Sequence, residues 1–335
     1  MMGILAPWDR EVTLTGDTSL CSRPMRRVID PLLRMGVMIF PEDTQTLPLK
    51  MKGTQHIKPL RYRLPVASAQ LKSALLLAGI FAEGETFLEE PYPSRNHTEL
   101  MLSEFGVNVE TQGTAVFMKG KQHLTACELS IPGDPSSAAF LLCAAALKEG
   151  SAVQVERVSL NPSRLGFLNV LERMGLNASR FGTGFVGKEP FGILSAQYTE
   201  HLNGCEVSKH EIPSLIDEVP VLSLVASKAH GITVFRGVGE LRVKETDRIA
   251  AIIEGLGSLG ISAWVEGDDL FIEGNPEAQI EPGIVLDSHG DHRLAMTWAL
   301  VGLCGDVSVD VMNLDSFGVS YPQFILNMQT LTQCE

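Results

Sequence analysis

The chain has 335 residues, 44% hydrophobic and 20% charged, which excludes a disordered chain and suits two domains better than one core. Its net charge of −13, with no Lys/Arg run, excludes a nucleic-acid surface, so an anionic ligand would need a local cationic pocket. No apolar run reaches the length of a membrane span, and "MMGILAPWDR" lacks the basic and apolar regions of a signal peptide, so the cytoplasm is the expected compartment. Cys21, Cys127, Cys143, Cys205, Cys304 and Cys334 include no C-x-x-C pair and are expected to be reduced thiols, several of them filling core.

Two phrases alternate along the chain. "VIDPLLRMGVMI" opens the first, an amphipathic helix followed by Gly36 and an aliphatic step into a strand. "SAQLKSALLLAGIFAEGETFLEE" opens the second, a capping residue, a helix of small apolar residues, then a glycine and a strand. The first returns as "TELMLSEFGVNVE" with Gly106 and the second as "GDPSSAAFLLCAAALKEGSAVQVE". "LNVLERMGLNAS" with Gly175 and "IPSLIDEVPVLSLVASKAHGITVFRG" repeat the pair, and "IAAIIEGLGSLGISAWVE" with Gly260 and "SHGDHRLAMTWALVGLCGDVSVDV" repeat it again. The glycines recur at about 70 to 85 residues, the period of a supersecondary unit rather than of a solenoid. Each suits the position just past a helix C-terminus, where φ turns positive. Helices apolar on every side are expected to be buried, with sheet outside them.

Ser68, Asp134 and Asp291 stand where helix N-caps stand. Simple capping accounts for each alone. Several such helix starts aimed at one cleft would instead form an anion site. Asp217 precedes an apolar helix, where a cap and a functional carboxylate are both open readings. "RVKETDR" places Lys244, Glu245, Asp247 and Arg248 at a strand-to-helix junction, either as a solvated turn or as a site that grips a charged substrate and moves a proton.

The stretches "LTGDTSLCSRPMRRVIDPLLRMG", "VASAQLKSALLLAG", "PSRNHTELML", "GDPSSAAFLL", "IPSLIDEVPVL", "LRVKETDRIAAI" and "SHGDHRLAM" resemble, in order and over essentially the whole chain, the 5-enolpyruvylshikimate-3-phosphate (EPSP) synthase family. The resemblance implies an α/β, two-domain enolpyruvyl transferase fold, an inside-out α/β barrel of repeated βαβαββ-like units around buried helices whose N-termini face a cleft. It implies a domain over 1–132, incomplete at its N-terminus, and a second over 133–335. The family's Lys-Ser…Arg segment and Asn-x-Gly-Thr loop, which precede the "MMGILA" helix, are absent, so the chain is expected to act as a monomer or paired with a missing N-terminal segment.

The implied reaction moves the enolpyruvyl group of phosphoenolpyruvate to the 5-hydroxyl of shikimate 3-phosphate, with no metal or organic cofactor and no nucleic-acid or membrane partner. Asp217 and Glu245 would be the catalytic pair. Ser68, Gln70, Ser94, Arg95, Asp217 and Lys244 would bind shikimate 3-phosphate. Arg23, Gln70, Arg248 and Arg293 would bind phosphoenolpyruvate. Asp291 and His292 would orient Arg293 and cap its helix, and His97 would be structural or exposed. Two positions depart from the pattern: Arg26 stands where many members have glycine, and Val319 where some have a phosphate-binding lysine. The alternatives are a fragment that is inactive or needs a partner, and the related transferase that acts on UDP-N-acetylglucosamine. The latter carries its loop cysteine farther ahead of the Arg-Pro pair than Cys21 stands here.

Overall fold

The computed structural model describes residues 1–305 and 307–332; Cys334 lies outside the described residues. The chain divides into two compact units, residues 1–130 with 187–189 and residues 131–186 with 190–335.

The first unit opens with helix α1 (Met2–Leu5), strand β1 (Glu11–Leu14), helices α2 (Thr18–Ser22) and α3 (Arg26–Arg34), and strands β2 (Met38–Phe40) and β3 (Leu49–Lys52). β3 lies between β1 and β2, antiparallel to both, with Met51 opposite Val12 and Ile39. A complete βαβαββ unit follows: β4 (Arg61–Arg63), α4 (Ala69–Gly79), β5 (Glu85–Glu89), α5 (His97–Glu104), β6 (Val109–Gln112) and β7 (Ala115–Lys119). β4 runs parallel to β5 with α4 as the crossover, and β7 pairs antiparallel with both β5 and β6. The core gathers Ile29 and Leu32 of α3, Leu71, Leu75 and Leu76 of α4, and Leu88, Val116 and Met118 of the sheet. α1 lies directly against α4 because position 3 is glycine: a Cβ there would fall 2.0 Å from the carbonyl oxygen of Ala74.

The second unit repeats the scheme. Its first sheet comes from β8 (Ala152–Ser159), β9 (Asn177–Val186) and β10 (Glu189–Gln197), with α6 (Pro135–Leu147) ahead of β8 and α7 (Gly166–Arg173) after it. β10 lies between β8 and β9, and a parallel bridge from Gly133 to Val158 marks where a first strand would stand. Next come β11 (Glu206–Val207), α8 (Val219–Ser227), β12 (Gly231–Phe235), α9 (Arg248–Ser258), β13 (Ser262–Glu266) and β14 (Asp269–Gly274). The sheet order β11-β12-β14-β13 copies β4-β5-β7-β6, with the same parallel first pair and antiparallel hairpin. β15 (Ile284–Asp287) then pairs in parallel with β16 (Val309–Met312) across α10 (His292–Gly305), and α11 (Phe324–Thr332) closes the described chain.

The expected burial of the apolar helices holds. Every residue of α8 is buried, and in α6 all but Ser137 and Leu147 are. α6, α8 and α10 pack on one another, with strands on their outer sides. Two serines survive inside α8 because each hydroxyl returns to its own helix, Ser223 Oγ to Val219 O and Ser227 Oγ to Leu224 O. The repeated glycines also hold: Gly36, Gly106, Gly175 and Gly260 follow α3, α5, α7 and α9 with φ of 98°, 81°, 100° and 73°. The described cysteines form no disulfide, and Cys143 and Cys304 are buried. Among the described residues no helix is long and apolar enough to cross a membrane.

Candidate active site

Four helix N-termini of the second unit are wired together. Asp134 caps α6 by accepting from Ser136 N at 3.2 Å, and Asp247 caps α9 by accepting from Ala250 N at 3.1 Å. Asp291 accepts from Arg293 N at 2.8 Å and Leu294 N at 3.4 Å at the start of α10. Side chains then join one helix to the next. Ser136 Oγ donates to Glu218 at the head of α8, and Arg293 Nη1 reaches Glu218 Oε1 at 3.5 Å. Arg164 Nη2 donates to Asp134 Oδ1 at 2.8 Å and to Ser136 Oγ at 2.6 Å.

Arg248 is the hub. It is 1% exposed, and its Nε lies 2.8 Å from Asp291 Oδ2 while Nη2 lies 3.3 Å from Asp291 Oδ1, a side-on fork. Nη2 also donates to Glu245 Oε2 at 2.6 Å, and Nη1 to Asp217 Oδ1 at 3.5 Å. Burial pulls the guanidinium pKa down, but Asp291, Glu245 and Asp217 outweigh it and hold it above the ordinary value. The N-cap position of α8 is taken by Glu218, not by Asp217. The Asp217 carboxylate faces three cations instead, with Lys244 Nζ at 3.5 Å, Arg248 Nη1 at 3.5 Å and Arg293 Nη2 at 3.9 Å. Arg293 Nη1 also donates to the Asp217 carbonyl at 3.2 Å. The structure thus brings Asp217, Lys244, Glu245, Arg248 and Arg293 together.

Sequence reasoning missed part of this web. Asp291 caps its helix as expected, but its grip on Arg248 was not foreseen, nor were the links through Ser136 and Arg164. The signal for Asp291 was the pairing of "GDHR" with "RVKETDR": an aspartate placed among helix starts that also carry arginines.

His292 opens α10 beside Arg293. Burial, and then the charge of Arg293, lower its pKa below the ordinary histidine value. The unfolded chain therefore binds the proton more readily than the folded one. Stability is expected to fall as pH drops through the unfolded value and to have lost the whole contribution below the folded one. Thermal midpoints of His292→Gln from about pH 7 to about pH 5 should decline less than those of the unsubstituted chain; parallel declines would remove His292 as a cause.

The remaining site residues lie in the first unit. Ser68 caps α4 by accepting from Leu71 N at 3.4 Å, and Gln70 is exposed in the first turn of that helix. Ser94 is buried and Arg95 half-buried in the turn between β5 and α5. Arg23 is the half-buried residue ending α2. Arg26 is spent on the surface, at Asp30 one turn along α3 and at the Glu42 carbonyl, 2.8 Å away. Val319 is 83% exposed. His97, the first residue of α5, lies 3.3 Å from Glu189.

Buried helices ringed by βαβαββ sheets, with acids and cations collected at the helix starts, define an enolpyruvyl transferase. An EPSP synthase from Acinetobacter baumannii superposes with a TM-score of 0.84 at 36% identity, over 98% of this chain and 75% of that one. The enolpyruvyl transferase NikO from Streptomyces tendae superposes at 0.74 with 18% identity, a likeness of fold alone. The family model for EPSP synthase (3-phosphoshikimate 1-carboxyvinyltransferase) matches residues 1–328, and the chain belongs to that family. A 3-phosphoshikimate 1-carboxyvinyltransferase of Bacillus cytotoxicus is 42% identical over 332 residues, 99% of this chain and 77% of the relative. One from Methylococcus capsulatus is 41% identical over 331 residues, 99% and 75%. The chain thus spans about three quarters of the length of these relatives. The sugar-nucleotide transferase alternative is not favoured by these matches.

Proposed function

We propose that this chain carries the transfer of the carboxyvinyl group of phosphoenolpyruvate to the 5-hydroxyl of shikimate 3-phosphate, releasing phosphate, a step toward chorismate and the aromatic amino acids. The observation that carries this reading is the Arg248 hub, which ties two partly accessible carboxylates, Asp217 and Glu245, to one buried cation. The reaction needs a proton delivered to the alkene carbon and a proton removed from the attacking hydroxyl. Two separate carboxyl groups beside cations can divide that labour.

Glu245 gives and takes the proton at the methylene carbon. Asp217 takes the hydroxyl proton; the contacts of its carboxylate to Lys244, Arg248 and Arg293 lie at 3.5 to 3.9 Å, longer than ordinary hydrogen bonds. Arg248 and Arg293 hold the phosphoenolpyruvate carboxylate. Asp291 fixes the Nε side of Arg248, so the Nη1 contact to Asp217 is the one a ligand carboxylate replaces. Lys244 holds shikimate 3-phosphate beside Asp217. In the first unit, Ser68, Gln70 and the Ser94–Arg95 turn serve the shikimate phosphate, and Arg23, with Gln70, serves phosphoenolpyruvate. The two compact units correspond to the two domains of the transferase. No metal or organic cofactor enters this scheme.

The test is phosphate release from the two substrates, with the chain alone and with the part of a relative that it does not cover supplied in trans. Release that requires both substrates supports the reading; background release in both arrangements would overturn it. Asp217→Asn keeps the shape of the side chain but removes the proton acceptor, and should lower turnover by about 10²- to 10⁴-fold with binding of shikimate 3-phosphate largely kept. Near-normal turnover would take Asp217 out of the mechanism.

A further inference from the structure

Lys72, Glu90 and Glu99 are 2%, 5% and 6% exposed and form an ion cluster inside the first unit. Lys72 projects from α4, one turn past the Ser68 cap. Its Nζ lies 2.8 Å from Glu90 Oε2 and 2.7 Å from Glu99 Oε1. Glu90 directly follows β5, and Glu99 belongs to α5. The cluster therefore joins the helix that carries Ser68 and Gln70 to both ends of the turn that carries Ser94 and Arg95. A second tie runs alongside, with the hydroxyls of Ser73 in α4 and Thr98 in α5 2.5 Å apart.

Stability alone does not account for such a cluster. Buried ion groups can often be replaced by apolar side chains of similar volume without loss of stability. What an apolar replacement could not copy is the grip on the turn. Glu90 accepts from Ser94 twice: the hydroxyl donates to Oε1, and the backbone N–H to Oε2 at 3.4 Å. A serine hydroxyl has one proton, and here Glu90 holds it. Ser94 thus fastens the turn that carries Arg95, whose planar fork suits a phosphate group.

We propose that Glu90, held by Lys72 and Glu99, is a positioning residue. Through the Ser94 hydroxyl it sets the Ser94–Arg95 turn against the N-terminus of α4, so that Arg95 and the first turn of α4 meet one phosphate group. The proposal rests on the function given above, since it takes that phosphate to be the one of shikimate 3-phosphate. It changes the part played by Ser94 from ligand donor to fastener.

Glu90→Gln tests this without changing volume. Glu90 accepts from Lys72 Nζ, Ser94 N and Ser94 Oγ, whereas an amide has a single acceptor oxygen and must turn its NH₂ toward one of these donors. The Lys72–Glu99 pair remains intact in this variant. Binding of shikimate 3-phosphate is measured by calorimetry on the full chain, alone and with the uncovered part of a relative in trans, together with KM and kcat where turnover is present. Glu90→Gln and Ser94→Ala should each raise Kd about tenfold or more, and the double variant no more than the worse single one, because both break the same link. KM for shikimate 3-phosphate should rise with kcat at saturation little changed. A merely structural role would lower the thermal midpoint and leave the two effects additive.

Should Glu90→Gln fail to fold, Lys72→Met/Glu90→Gln/Glu99→Gln removes every buried charge of the cluster and should show the same loss of affinity. Additive effects, unchanged Kd, or tighter binding from a released Ser94 proton would each overturn the proposal. No binding by the unsubstituted protein in either arrangement would overturn the proposed function and this role with it. Binding that the variants leave unchanged would overturn this role alone.

Discussion

Glu245→Gln is expected to lower kcat by about 10²- to 10⁴-fold, the usual loss when a general acid–base is removed, while the dissociation constant of phosphoenolpyruvate moves far less. The local geometry makes the substitution clean. Glu245 Oε2 accepts from Arg248 Nη2 at 2.6 Å, and a glutamine carbonyl can take that hydrogen bond in the same place. Asp291 holds Nε of Arg248 at 2.8 Å and does not depend on residue 245. The cation therefore stays where it is, and what disappears is the proton. An interaction needed only in the transition state shows as parallel losses in kcat and kcat/KM, whereas a ground-state contact shows in KM. Single-turnover rates with both substrates, paired with calorimetry of phosphoenolpyruvate, separate the two. Near-normal turnover would remove Glu245 from the proton transfer and leave it as a partner of Arg248.

What could be read before any coordinates was whatever the chain decides locally. A glycine past a helix end needs only its own φ, so Gly36, Gly106, Gly175 and Gly260 were legible from four short phrases. Ser68, Asp134 and Asp291 were legible as caps for the same reason: their partners lie two or three residues away. Helices without a polar face had to be buried, which foretold the environment of α6 and α8.

Long-range pairings were not legible from local pattern. Asp217 could equally have been a cap, and only the approach of residues about 30 and 76 positions later shows that its carboxylate faces Lys244, Arg248 and Arg293 instead. "RVKETDR" taken alone is a solvated turn, and no local pattern says that Arg248 is 1% exposed. The Lys72 cluster left a fainter mark. A lysine inside "SAQLKSALLLAG", where Ser73 is the one polar residue after it, needs a buried anion, and the sequence offers no way to choose Glu90 and Glu99 from the 40 acids.

Arg248→Ala should be the most damaging substitution in the second unit, and it should fail in two separable ways. Asp291 is 0% exposed and holds Arg248 through both oxygens, so removing the guanidinium strands a buried carboxylate. Breaking a buried pair from one side costs about 3–5 kcal/mol, and urea unfolding should show a loss of that order. Asp291→Asn in the same chain should return part of it, because the amide does not need a cation. Arg248→Lys separates the second effect. An ammonium keeps the charge beside Asp291 but cannot hold one carboxylate side-on and offer two further donors to another. It should stay closer to the original stability and still weaken phosphoenolpyruvate, by roughly 2–5 kcal/mol in the presence of shikimate 3-phosphate, as expected when a buried charge loses its partner. Affinity retained in Arg248→Lys would mean that the positive charge alone serves the ligand and that the fork serves only Asp291. Affinity retained in Arg248→Ala as well, and in Arg293→Ala, would end the case for a carboxylate clamp in this unit.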